Sequence, residues 1–397
     1  MFSTGRISMT SNSKFLWTIG FHHFCNDGTL MVLVALIPVL LVEMKLSYYD
    51  VGFLGLSIAI TVVAQLVVGK YVDRKFSTYM LEAGAGLMAL SFFLLLFVTD
   101  FDGLLLAIVA MRVGAAFYHP VGISWVTRAY NGAGLDDALG VQSGLGNLGV
   151  ILAFGSSGFL AELAGWKLPC MIWAVLNVSA VALGLLIIRG HHKSLVSNAS
   201  TKDVRFMHTM KTIGILAVPI LAGGALYQVT SYFGPLNLTK HAQWTAGEAD
   251  LMFAVWIGVG TVTSYMFGRF SERLGRRKLL RLGYLLSAVS ALLIAFVSSW
   301  FLVAIVLIVY GALLFLTYPA LFALLSEVTS EGERGTGFGI LFGFQLGGGA
   351  VVVYICGIVA EALSDPAYAL VLVSGIAASA LVALSVWESG QASDMID

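Results

Sequence analysis

Charge is what this sequence has least of. Only 44 of its 397 residues are Asp, Glu, Lys or Arg, 11% of the chain, split evenly between the signs. Soluble domains average roughly 25% charged residues, and a chain that is 58% hydrophobic cannot cover its core in water with so few. A formal net charge of zero removes any overall attraction to nucleic acid. Cysteine is nearly absent: Cys25, Cys170 and Cys356 lie in apolar runs without metal-ligand spacing and read as small buried hydrophobes. There is no P-loop, so ATP-driven transport by this chain alone is not expected, and no HExxH, CxxC or Gly-x-Ser-x-Gly motif. That reading leaves no enzyme, no metal and no cofactor. Met1 to Lys14 is polar and lacks a cleavable signal pattern, and the first apolar run is too long for a signal-peptide core, so it is expected to be retained. What is plentiful is glycine, 44 residues, as in membrane helices.

A helix needs about 20 apolar residues to cross a hydrocarbon layer about 30 Å thick. Such runs occur near 15–42, 51–72, 79–98, 103–126, 138–162 and 167–188, and again near 212–236, 249–270, 279–297, 300–325, 338–361 and 367–387. They do not alternate in polarity as barrel strands do, so the expected fold is an all-α membrane protein with twelve transmembrane helices. An even number of spans puts both termini on one side. Making that side cytoplasmic collects 18 of the 22 Lys and Arg there, leaving Lys45, Lys167 and Lys240 outside and Arg112 within a span. The expected location is an inner or plasma membrane, multi-pass, with both termini cytoplasmic. The sequon at Asn237 to Thr239 then falls outside, with no function attached. Residues 191–211, with His191, His192 and several Lys and Arg, read as a solvated cytoplasmic linker between a six-helix bundle at 1–190 and another at 212–397.

The two halves repeat. Shifted by 199 residues, Gly69, Asp73 and Arg74 fall on Gly268, Glu272 and Arg273, and Pro120 falls on Pro319. Gly140, Gly144 and Gly149 fall on Gly339, Gly343 and Gly348, and Gly158, Ala161 and Glu162 fall on Gly357, Ala360 and Glu361. Each half has six spans, so the halves have parallel topology about an axis along the membrane normal.

The segment Gly69-Lys-Tyr-Val-Asp73-Arg74-Lys75 resembles the first signature of the major facilitator superfamily, and Gly268 to Arg277 is its fuller copy. Arg112 is similar to the superfamily's second signature. A narrower resemblance, to the fosmidomycin-resistance group of exporters, is carried by His23-Phe-Cys-Asn26-Asp27, by Tyr118-His119-Pro120 with Arg128, and by the glycine-rich stretches Gly140 to Gly149 and Gly339 to Gly349. The resemblance covers essentially the whole chain. It implies two pseudo-symmetric six-helix bundles (the major facilitator fold) rocking around a central cavity, with a state-dependent latch at Gly69, Asp73, Arg74, Gly268, Glu272, Arg273 and Arg276. The first glycine-rich stretch lacks the Gly-Pro step of the antiporter signature, so export and uptake are both carried forward.

Ionisable groups inside spans are costly and mark pathways or proton relays. Counting about 1.5 Å per residue places Asp27, Arg112 and Asn147 near the midplane, where transporter sites lie. His23 and Asp27 stand at i and i+4 on one helix face, an arrangement suited to proton transfer. Asp27, Arg112, His23 and His119 are therefore the candidate proton-coupling groups, with His22 a weaker one. Asn26, Gln142, Asn147, Tyr227, Gln228, Tyr232, Tyr310, Tyr318 and Gln345 are the candidate substrate contacts, so that ions are handled in one bundle and substrate shape in the other. The glycine rows read as small-residue faces that let helices approach and slide at the bundle interface. The expected function is secondary active transport of a small organic or anionic compound by alternating access, as proton-coupled export. Uptake symport of an organic anion, with Arg112 as its partner, is the alternative, and a polytopic sensor or membrane enzyme is the alternative of another class. The expected partners are a small-molecule substrate, protons and the lipid bilayer, with no nucleic acid, for a monomeric protein.

Overall fold

The structure, a computed structural model, describes residues 9–74, 79–130, 133–187, 206–329 and 334–393. Among the described residues nine helices are long and apolar enough to cross a membrane, and two bent pairs bring the total to eleven. The shorter apolar helix Met80–Leu95 completes twelve. In chain order the first half holds α1 (Met9–Ala35) with α2 (Ile37–Glu43), α3 (Tyr48–Leu56) with α4 (Ile58–Arg74), α5 (Met80–Leu95), α6 (Phe101–Ala115) with α7 (Tyr118–Ala129), α8 (Ala133–Ala164) and α9 (Lys167–Ile187). The second holds a lead-in α10 (Phe206–Ile213), α11 (Ala217–His241), α12 (Ala246–Tyr265) with α13 (Phe267–Leu274), α14 (Arg276–Phe296), α15 (Trp300–Val328), α16 (Arg334–Phe342) continued by α17 (Gly349–Ala362), and α18 (Ala367–Ser393). Most of the 191–211 linker lies outside the described residues.

Local chemistry sets the breaks. α1 and α2 bend by 45° where Pro38 opens the second helix. α12 and α13 bend by 64°. Gly275 has φ +78° between α13 and α14, a left-handed turn that glycine adopts without strain. At the loop end away from the termini, α3 and α12 begin with matching capping boxes, Ser47 with Asp50 and Thr245 with Glu248.

Lipid is as apolar as leucine, so close packing and polar links hold membrane helices together. Asn177 donates to Thr29 Oγ1 at 2.7 Å, Asn237 to the Ile294 carbonyl at 2.8 Å, and Ser374 to the Ala288 carbonyl at 2.8 Å. Double-mutant cycles put such links at roughly 0.6 kcal/mol each. Asn237 is thus buried and engaged, which explains the sequon without any modification.

The glycine rows act mainly within a bundle. A Cβ on Gly149 would lie 2.2 Å from the Phe24 carbonyl oxygen, and one on Gly146 would lie 2.6 Å from the His23 ring, so α8 closes directly onto α1. In the second half a Cβ on Gly224 of α11 would meet the Gln345 carbonyl at 1.8 Å. This corrects the expectation that the rows as a whole serve the seam between bundles. There backbone meets backbone at Gly52 on Gly357 and at Gly158 on Gly247.

Both seam contacts lie at the end away from the termini. Tyr48 N donates to Glu361 Oε2 at 2.8 Å, and Gly247 N donates to Glu162 Oε1 at 2.7 Å. The repeat offset maps one onto the other, since Glu162 matches Glu361 and Tyr48 matches Gly247. Each half therefore offers a carboxylate to the N-terminus of a helix of the other half, where backbone N–H groups favour negative charge. Tyr49 and Tyr354 join hydroxyls at 3.2 Å beside one of them. This end of the molecule is closed.

Candidate functional site

The helical spacing of His23 and Asp27 on α1 brings His23 Nε2 to 2.9 Å from Asp27 Oδ2. The break between α6 and α7 at Ala116 and Phe117 turns His119 toward the same carboxyl, with Nε2 at 3.5 Å from Oδ1. Asn26 donates to Oδ1 at 2.9 Å. On the other flank, the His23 ring stacks on Tyr118 with centroids 4.4 Å apart and meets His119 edge-on at 5.2 Å.

Gln142 of α8 sets the imidazole. His23 Nδ1 lies 2.8 Å from the Gln142 main-chain carbonyl oxygen, which accepts from the tautomer that carries its proton on Nδ1. The Gln142 amide also touches Nδ1 and the Tyr118 hydroxyl, at 2.9 and 3.0 Å. With Nδ1 protonated, a neutral imidazole turns the lone pair of Nε2 toward a carboxylate oxygen 2.9 Å away. Those two acceptors tolerate that distance only with a proton between them. The donor atoms of His23, Asp27 and His119 all lie within 4.8 Å of one another, close enough to share one small cation. Asp27 keeps 21% of its side-chain surface exposed and His119 38%, so the group is not sealed.

Arg112 is elsewhere. The expectation offered it as a partner that modulates Asp27, but its guanidinium donates to Ser57 Oγ at 3.2 Å and, across the seam, to the Tyr232 hydroxyl at 2.9 Å. Arg112 is buried, and among the described residues no carboxylate pairs with it. A small, largely apolar cavity lined by Leu33, Ile37, Leu54, Met111 and Tyr232 ends on the guanidinium.

The second-half candidates divide. Tyr232 touches Arg112. Gln228 donates to the carbonyls of Gln345 and Leu346 at 3.3 and 3.1 Å, within a stretch of π-helix, Gly343–Gly348. π-turns inside α-helices are frequent at functional sites, and the repeat-matched stretch of α8 is plain α-helix. Tyr227 stacks on Trp256 at 5.4 Å, and Tyr318 points its hydroxyl at the Gly223 carbonyl, 3.4 Å away. Tyr310 is fully buried and its hydroxyl engages Thr230 and the Leu226 carbonyl, so it braces α11 and is not a cavity wall. Asn147 is half-buried on α8 and bonds nothing in the Asp27 cluster. His22 turns away from Asp27, toward Gly184 and Glu82.

Among the expected latch residues, the side chains of Asp73 and Arg74 lie outside the described residues. Glu272 and Arg273 are exposed, and Arg276 is ion-paired with Glu327. Gly268 has open space at its Cβ position, and Gly69 has only a 4.0 Å contact with Pro120, so neither is required by crowding.

Three groups were not foreseen. Tyr118 stands within the His119 motif, and Ser57 gave no signal. Glu162 and Glu361 were legible as matching acids beside matching glycines.

A model described as Major Facilitator Superfamily matches residues 16–241 and 221–394. The chain belongs to the Major Facilitator Superfamily. Its members are transporters, so this is a multi-span membrane transporter and not an enzyme. It is 25% identical over 332 residues to Multidrug resistance protein 1 of Bacillus subtilis (strain 168), covering 80% of this chain and 84% of the relative. To the Fosmidomycin resistance protein of Escherichia coli (strain K12) it is 22% identical over 363 residues, covering 87% and 86%. The solved nucleoside transporter NupG (D323A mutant) superposes with a TM-score of 0.79 at 18% identity, covering 94% of this chain and 99% of that one. A bacterial homolog of the human lysosomal transporter Spinster, inward-facing and occupied, superposes with a TM-score of 0.75 at 15% identity and 96% coverage of each.

Proposed function

We propose that this superfamily member is a proton-coupled exporter of small organic compounds, anions among them, in the cell membrane. It works as a monomer with cytoplasmic termini, the bundles at 1–190 and 212–397 rocking about the 191–211 linker. The observation that carries this reading is the Asp27, His23 and His119 cluster, built so that one proton holds α1, α7 and α8 together. Losing that proton leaves a carboxylate facing an imidazole lone pair, and the three helices must rearrange. Burial penalises a lone carboxylate, so proton exchange and helix movement are linked. Arg112, buried without an acid and bonded across the seam to Tyr232, is the natural partner of an anionic substrate group. An anion that replaces Tyr232 on the guanidinium loosens a contact between the bundles as it binds. The names of the relatives, multidrug and fosmidomycin resistance, support export. Gly69, Asp73, Arg74, Gly268, Glu272, Arg273 and Arg276 would latch the opposite end when the closed end opens.

The test is flux in proteoliposomes under an imposed pH gradient, over a panel of antibiotics, organic anions and nucleosides. Export predicts substrate moving against the proton flow. The unpaired Arg112 favours one other reading, uptake symport of an organic anion, which predicts substrate moving with it. Flux indifferent to the gradient would sink both.

A further inference from the structure

Asp250 lies one turn into α12, at the closed end, with no exposed surface. Neither carboxyl oxygen has a hydrogen-bond partner. It sits on the seam between bundles: a Cβ on Gly158 of α8 would be 2.7 Å from Asp250 Oδ2 and 2.6 Å from the Gly247 nitrogen. The repeat gives the comparison that matters. At the equivalent position in the other seam contact stands Val51, also fully buried. A valine therefore meets the packing requirement of this position, and the carboxyl is there in addition.

We propose that Asp250 is a second proton-binding site, and that the closed end shuts only when this carboxyl is neutral. A carboxylate buried without a cation or side-chain donor is strongly disfavoured against its neutral form. The charged groups around it give no relief. From α8 it faces Glu162, whose own carboxylate caps Gly247. Glu248 on α12 is held in the Thr245 capping box. At the nearby end of α11, Lys240 donates to the Ser364 carbonyl and His241 pairs with Asp365. The stretch of α15 from Trp300 to Tyr310 brings no charge. When the bundles part at this end, Asp250 leaves Gly158 for water and releases its proton. Closure takes one proton up from that side and opening returns it, so acid closes this end whatever happens at Asp27.

The experiment measures a spin-label distance across the closed end, between cysteines introduced for exposed Val42 of the first half and Leu363 of the second, in nanodiscs from pH 5 to 9. The Asp27→Asn background removes the first proton site, so failure of the coupling proposal and failure of this one read out separately. One proton linked to closure predicts that the open-to-closed ratio rises up to tenfold per pH unit. Adding Asp250→Asn should flatten that response and hold this end closed, and Asp250→Val, copying Val51, should do the same. A distance independent of pH in the Asp27→Asn protein would overturn the proposal. So would a pH response that survives either Asp250 substitution.

Discussion

At Asp27 one carboxyl answers to three neighbours, and each can be removed separately. Asp27→Asn imitates the neutral acid in size and charge. It should abolish accumulation driven by a pH gradient, at least tenfold in the steady-state ratio, while substrate exchange at equal pH continues. Counterflow and gradient-driven flux in the same vesicles check this, and full retention of accumulation would remove Asp27 from coupling. Arg112 acts through different chemistry. Its guanidinium reaches Ser57 with one nitrogen and Tyr232 with another, and Lys, a single point charge, cannot span both. Arg112→Lys should weaken binding of an anionic substrate about tenfold or more, a loss on the scale of one charge-assisted bond. Binding of a neutral substrate should change little. Equal losses for both would mean that Arg112 only ties the bundles. The i, i+4 relation of His23 and Asp27 can be read from spacing alone. The approach of His119 depends on the α6–α7 break, and the Arg112 to Tyr232 bond joins residues 120 positions apart in different bundles, which no local pattern encodes. Asp250 was hidden because its surroundings, Thr245 to Glu248, carry the signature of a solvated helix start.

Helices in this fold meet along glycines, and the consequence of filling one depends on which boundary it lines. Gly149 faces the Phe24 carbonyl inside the first bundle. Because a backbone oxygen cannot move aside, Gly149→Val should cost about 1–3 kcal/mol or more through overpacking and appear as lost expression or a lower Tm. Gly357 lines the seam, where an added Cβ would meet Gly52 Cα at 2.6 Å and the Tyr48 carbonyl at 2.7 Å. Gly357→Val should leave each bundle folded but hold the closed end apart, lengthening the distance between labels at positions 42 and 363 with little change in Tm. A Tm loss matching that of Gly149→Val, with the distance unchanged, would place Gly357 among the structural glycines instead. The matched caps at Glu162 and Glu361 belong to this boundary as well. A carboxylate at a helix N-terminus contributes about 0.3–1 kcal/mol, up to about 2 when partly buried, so either Gln substitution alone should shift the closed population by about two- to thirtyfold, more at Glu162, whose bond is part-buried, than at Glu361.

For the whole molecule, the two bundles, the closed end and the proton sites gain physiological meaning only once an orientation is fixed. The basic residues favour the proposed one. Eighteen of 22 Lys and Arg lie on the side of the termini, and positive residues in short loops are retained in the cytoplasm. In the proposed orientation, with cytoplasmic termini, the closed end faces outward. A proton taken up by Asp250 at closure would come from the outer medium, and the Asp27 cluster would exchange its proton after the opposite end has opened. Reversing the orientation would reverse both statements and leave the sense of coupling, substrate against or with the proton, unchanged. Ser197 lies in the stretch between the bundles. A cysteine introduced there should resist an impermeant maleimide in intact cells and react after lysis. Cysteine at position 363, in the turn after α17, should react in intact cells. The three native cysteines are buried and contribute little background. Labelling at 197 but not at 363 in intact cells would invert the topology and make the cytoplasm the side from which Asp250 takes its proton.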